Sequence, residues 1–177
     1  SRAVQGVVRR QLEEAEAYLR QRLGAKRIPT PMLPLIPLGI DTQRFAPDPA
    51  ARSRWRAKFG IADETVALMS MGRLTAHEKM HPAPLLIAAQ RAAEASGQRL
   101  ALLMVGWFQN EGQEKLHRQA AAEFAPDVDV QFPDGKDPDL RYSIWSAADI
   151  FVLPVDNVQE TFGLAPIEAM SAALPVI

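Results

Sequence analysis

Two glutamates with seven residues between them, Glu160 and Glu168, bracket the run Thr161-Phe162-Gly163-Leu164. Between Thr161 and Ile177, a stretch of 17 residues, Glu168 is the only charged side chain. A helix that apolar is mostly buried, and an unpaired carboxylate within it is costly. Glu168 must therefore be neutralised, hydrogen-bonded or aimed into a cleft. Glu160 falls in the loop before that helix. The following residues offer free N–H groups at a helix start, where the macrodipole favours an anion and Gly163 removes a side chain that would obstruct close approach. Phosphate or polar sugar oxygens are the natural guests. The plainer alternative is that Thr161 caps the helix and Glu168 bonds a neighbour.

Arg73 and Lys79 follow the first apolar run, in Gly72-Arg73-Leu74 and the loop Thr75 to His81. Two cations there suit a diphosphate; as lone residues they read equally as exposed surface charges. His77-Glu78-Lys79-Met80-His81 matches the zinc-peptidase pattern H-E-x-x-H, which requires both histidines on one helical face. Pro82 and Pro84 argue against a helix through it and for a loop entering a helix at Pro82. Asp127-Val128-Asp129 imitates a D-x-D metal site but falls at the start of a strand, and His117 reads as a surface residue. Neither G-x-G-x-x-G nor G-x-x-x-x-G-K-[ST] occurs, which weakens a dinucleotide oxidoreductase or a P-loop NTPase.

These residues need elements to hold them. Val4, Val8, Leu12, Ala15, Leu19 and Leu23 recur at steps of three and four, predicting one amphipathic helix that stops at Gly24. A proline-studded segment follows from Ile28 to Pro49, and Asp48 with Pro49 opens a short helix closed by Gly60. From Val66 the texture alternates. Strands are expected at Val66 to Met71, Leu100 to Val105, Val128 to Phe132 and Ile150 to Val155, with another opening at Val176. Helices are expected near Pro82 to Ser96, Glu111 to Phe124, Pro138 to Ala148 and Phe162 to Ala173. Continuously apolar strands separated by helix-length crossovers imply a doubly wound, Rossmann-like parallel α/β sheet, whose ligands sit beyond the carboxyl ends of the strands.

Composition narrows the choices. Twenty basic against 21 acidic side chains give a net charge of −1, so there is no bulk positive field for nucleic acid or anionic lipid. The absence of cysteine excludes disulfides, thiolate metal sites and a cysteine nucleophile. The uncharged stretch Ile28 to Ile40 has 13 residues and four prolines up to Pro37, too short and broken for a transmembrane segment. A cytoplasmic setting fits. The chain starts at Ser1 and stops at Ile177 where a buried strand should still be running, and it reads as part of a longer protein.

Several of these stretches together resemble glycosyltransferase family 4. They are Pro37-Leu38-Gly39-Ile40-Asp41 with Phe45 and Pro47, Gly72-Arg73-Leu74 with Lys79, Ala148 to Pro154, and the Glu-x7-Glu element from Glu160 to Glu168. The resemblance implies a retaining, metal-independent, hexosyltransferase-type enzyme of GT-B fold. This chain would supply most of the C-terminal, donor-binding domain at residues 50–177, preceded by a terminal helix of the N-terminal domain at 1–27 and an interdomain crossing at 28–49. By the same likeness Arg73 and Lys79, beside Gly72, grip the donor diphosphate. The amides of Phe162, Gly163 and Leu164 meet phosphate and sugar, Glu160 holds donor-sugar hydroxyls at the reacting carbon, and Glu168 accepts from the ribose hydroxyls. The substrate is a nucleotide-diphospho-sugar whose base (UDP, GDP or ADP) is left open. No cofactor is implied, the acceptor belongs mainly to the missing domain, and the fragment alone should not catalyse transfer. Met80-His81 stands where the family usually has glycine, and Gly106-Trp107 where Gly-x-Gly is commoner, so the phosphate-side loops are expected to differ in shape. The competing readings are a non-catalytic nucleotide-binding or interaction module, a GT-B nucleotide-sugar epimerase and, most remotely, a zinc peptidase.

Overall fold

A computed structural model describes residues 2–36, 38–155 and 163–177. The chain forms two compact units, Ser1–Gly39 and Ile40–Ile177. In the first, helix α1 (Arg2–Leu23) ends at Gly24, whose φ of 63° is open to glycine at little cost. The apolar side of α1 faces Ile28, Pro29, Pro31 and Leu33 across a groove of about 590 Å³, and the Gln5 amide donates to the Leu33 carbonyl. The division at Gly39 falls inside the proline-studded segment. Beyond it Phe45 is buried and Ile40 packs on the same cluster, so the segment's second half joins the larger unit.

In the larger unit, α2 (Pro49–Lys58) starts as its sequence dictates. Asp48 accepts from the amides of Ala50 at 2.9 Å and Ala51 at 3.2 Å, and Pro49 occupies the first turn, where no N–H is needed. Strand β1 (Val66–Leu74) leads through a turn to α3 (Pro82–Ser96), and β2 (Leu100–Phe108) leads to α4 (Glu111–Phe124). Strand β3 (Asp129–Gln131) precedes a loop, the single turn α5 (Leu140–Ser143) and a 3-10 turn at Ile144–Ala147. Strand β4 (Ile150–Phe151) and α6 (Leu164–Ser171) complete the order.

The sheet runs β3-β2-β1-β4, and all its pairings are parallel. Val176 bridges Phe151, and Ile177 N–H donates to the Phe151 carbonyl at 2.9 Å, so the strand expected at Val176 begins beside β4. Both faces are covered. Ala67, Met69, Leu103 and Val105 pack with Trp55, Trp145 and Phe151 on one side, while Leu68, Leu102 and Met104 pack with Leu85, Leu86 and Ala120 on the other. Alternate side chains thus enter two cores, which is why these strands lack alternating polarity.

Some boundaries differ from the sequence expectation. β1 and β2 each run three residues further, because Gly72, Arg73 and Leu74 keep register with Gly106, Trp107 and Phe108. β3 and β4 are shorter than the apolar runs that contain them. The helix expected from Pro138 begins at Leu140, because Asp137 accepts the amides of Asp139 (side chain) and Leu140 (carbonyl) and closes a turn first.

One polar cluster anchors α2 to the sheet. Asp149 takes Arg52 at 2.7 Å, Arg56 at 3.2 Å and the Ala67 N–H at 2.8 Å. Burial pushes its carboxyl up, but the Ala67 hydrogen bond and the two guanidinium groups outweigh this and hold it below the usual carboxylate value. Among the described residues, no helix is long and apolar enough to cross a membrane.

Candidate functional site

From β1 the chain moves to one side through β2 and β3, then returns to the other side as β4. The strand order thus reverses at β1, and the carboxyl edge at such a reversal is where open α/β sheets bind their ligands. Backbone contact shapes its floor. Gly72 lies opposite Gly106, and a Cβ on Gly106 would stand 1.9 Å from the Gly72 carbonyl oxygen, so only glycine fits there. Gly135 N–H donates to the Gly106 carbonyl at 2.7 Å, drawing the loop after β3 to the same edge.

Gly72, Arg73 and Lys79 meet beside this floor, with Leu153 and Val155 from beyond β4, around a cleft of about 10 Å³. Lys79 lies across Gly72: a Cβ added to that glycine would approach Lys79 Cε at 3.3 Å. The turn is closed by the amides of Lys79 and Met80, which donate to the Thr75 carbonyl at 3.2 Å. The Arg73 guanidinium is met by Glu78 at 3.4 Å, and both side chains are about half exposed. An exposed pair of this kind contributes less than about 1 kcal/mol.

Met71 lines both this cleft and a larger cavity of about 560 Å³, bounded by Val105, Trp107, Gly135, Arg141 and Glu168. Asp137 also lines that cavity, and the cavity's second carboxylate is Glu168, half-buried on α6. Burial pushes its carboxyl above the usual value, and Arg141 acts in the opposite direction. The indole of Trp107, 38% exposed, stands at the rim with the Lys136 ammonium 5.9 Å from its ring centroid. The loop beneath is stiffened by Asp134, which accepts from Lys136 N–H at 2.9 Å and Asp137 N–H at 3.0 Å.

Gly163 caps α6 in the left-handed region, with φ 58° and ψ 67°. A Cβ there would meet Pro166 at an ordinary 3.8 Å, so backbone conformation, rather than room for a guest, accounts for the glycine. The amides of Leu164 and Ala165 open the helix, while Pro166 in the first turn has none to offer. Glu160, Thr161 and Phe162 lie outside the described residues.

Of the candidates, then, Gly72, Arg73, Lys79 and Glu168 gather at one edge. The H-E-x-x-H run does not form a metal site: His77 lies in the turn, and His81 caps α3 by accepting from the Ala83 N–H at 3.3 Å. Among the described residues no three histidine or acidic side chains gather to hold a metal. Asp127 is bonded to the Gln90 amide at 2.7 Å, at the edge opposite the site. His117 departs from expectation. It is 1% exposed, between the rings of Phe108 and Phe132, because residues far apart in sequence converge to bury it. Burial lowers its pKa, against the Gln113 carbonyl, and His81 lowers it further. Arg141 and Gly135 carried no local signal in sequence. Gly106 was legible as a glycine ending an apolar run and, through the family resemblance, as part of Gly106-Trp107 at a phosphate-side loop.

Comparison with known proteins bears on the fold and the family. A chain from Mycolicibacterium smegmatis named GDP-mannose-dependent alpha-(1-6)-phosphatidylinositol monomannoside mannosyltransferase is 29% identical over 165 residues, 90% of this chain and 41% of that one. A D-inositol 3-phosphate glycosyltransferase from Geodermatophilus obscurus is 32% identical over 149 residues, 81% of this chain and 32% of that one. The chain thus spans well under half the length of these curated relatives. Among solved structures, Anabaena Alr3699/HepE in complex with UDP and glucose superposes with a TM-score of 0.62 at 21% identity, covering 78% of this chain and 35% of that one. The parallel sheet, wound on both faces, is the C-terminal half of a GT-B fold. The family model described as Glycosyl transferases group 1 matches residues 51–177, more than half of the sequence, and the chain belongs to that family.

Proposed function

We propose that this chain is the donor-binding part of a retaining, hexosyl-transferring glycosyltransferase of family 4, and that it holds a nucleotide-diphospho-sugar at the carboxyl edge of the sheet. The observation that carries this is the meeting of Arg73 and Lys79 with the Glu168 cavity on either side of Met71. The diphosphate lies against Arg73, Lys79 and Gly72, and the nucleoside occupies the cavity with its ribose hydroxyls donating to Glu168. Glu160 and the amides of Phe162, Gly163 and Leu164 serve the sugar and its phosphate. A relative named for GDP-mannose and a neighbour solved with UDP support a nucleotide-sugar donor, and the two differ in base.

Cleaving the bond from the anomeric carbon to the phosphate oxygen leaves positive character on the sugar and negative charge on the diphosphate. Cations fixed beforehand by the β1 edge meet that charge without reorganising as it develops, which lowers the barrier. Acceptor binding rests with residues outside these 177, and the chain alone does not catalyse transfer.

Calorimetric titration with UDP, GDP and ADP tests the reading. One of them binds, and Arg73→Ala or Lys79→Ala each weakens it about 10- to 100-fold, as losing a charge-assisted contact implies. The matching nucleoside without phosphates is insensitive to both substitutions. Absence of heat with all three, or binding indifferent to both cations, overturns the reading.

A further inference from the structure

The turn that carries Lys79 is tied to a helix from elsewhere in the sheet. The Ala76 N–H donates to Gln113 Oε1 at 2.9 Å, across 37 residues of sequence. Gln113 is itself held from both directions. Its N–H donates to the Asn110 cap at 3.0 Å, and its carbonyl lies 2.8 Å from His117 Nδ1. A carbonyl can only accept, so His117 carries its proton on Nδ1. The imidazole is fixed in turn by the flanking rings of Phe108, centroid 5.6 Å away, and Phe132, 6.4 Å away. Gln113 therefore reaches the turn from a backbone fixed at both its amide and its carbonyl.

We propose that Gln113 is a positioning residue for diphosphate binding: it latches the turn Thr75 to Met80 so that Lys79 is held across Gly72 before the donor arrives. Without the latch, the turn keeps its bonds to the Thr75 carbonyl and the exposed Arg73–Glu78 pair but loses its tie to α4, and more of its ordering falls to the ligand. The inference rests on the diphosphate reading for its consequence, although the latch itself can be tested without any ligand.

Two variants separate the roles of shape and hydrogen bond. Gln113→Met keeps the length and loses the acceptor; Gln113→Glu keeps the acceptor. Amide hydrogen exchange on the ligand-free chain is expected to speed up at Ala76, Lys79 and Met80 in the Met variant and to remain as in the unaltered chain in the Glu variant. Titration with whichever of UDP, GDP and ADP binds is expected to show about tenfold weaker binding for Gln113→Met, near-complete rescue by Gln113→Glu, and no change for the matching nucleoside. In a Lys79→Ala background the Met substitution has no further effect on affinity. Unchanged exchange in the Met variant overturns the latch. Faster exchange with unchanged diphosphate affinity overturns its role in binding. If none of the three diphosphates binds the unaltered chain, the donor reading fails, while the exchange data still decide whether the latch exists.

Discussion

Glu168 carries an energetic cost that its proposed role explains. Burial disfavours its ionised form, and Arg141 only partly offsets this. With its folded pKa above the unfolded one, the native state binds the extra proton, so stability falls as pH rises from the ordinary carboxylate range through the raised value. Glu168→Gln removes that slope. Urea unfolding followed from about pH 4 to 8 should show the variant gaining stability relative to the unaltered chain as pH rises, while it binds nucleoside diphosphate more weakly. A stability difference that is flat or reversed with pH contradicts the assignment. A group retained against stability and needed for binding is a functional one. Arg73 carries no such cost: it is about half exposed and pairs with the equally exposed Glu78.

At the scale of elements, the site depends on how closely the ends of β1, β2 and the loop after β3 approach. Gly106→Ala would press a methyl against the Gly72 carbonyl, backbone against which no rotamer gives way. A cost of about 1–3 kcal/mol or more in equilibrium unfolding is expected, with weakened diphosphate binding as Gly72 shifts; a cost below about 0.5 kcal/mol contradicts the packing described. These ends also mark where sequence stops being legible. Helices α3 and α4 begin and end where expected because their caps and prolines are local: His81 with Pro82, Asn110, and Gly97 at a φ of 65°. Strand ends are set by a neighbour's register, so the extension of β1 to Leu74 and the brevity of β4 could not be read locally. The burial of His117 and the latch at Gln113 arise from pairs remote in sequence, and neither residue type announces its partner.

At the scale of the larger unit, the order β3-β2-β1-β4 makes β1 the strand on which the topology reverses, and every described candidate that belongs together lies at its carboxyl edge or reaches that edge from α6. The parallel doubly wound class was legible because continuous apolarity and helix-length crossovers are properties of whole segments. Which loops meet depends on strand order, which no single segment encodes. The claim on which the rest depends is that a nucleoside diphosphate occupies this edge. Amide chemical-shift mapping by NMR, titrating the chain with UDP, GDP and ADP in turn, tests it most directly. The amides of Gly72, Gly106, Gly135 and Leu164 should move together and saturate with one affinity, while those of α1 and of Asp127 to Asp129 remain still. Perturbations gathered along the α1 groove or at the opposite edge of the sheet, or none with any of the three nucleotides, would contradict it.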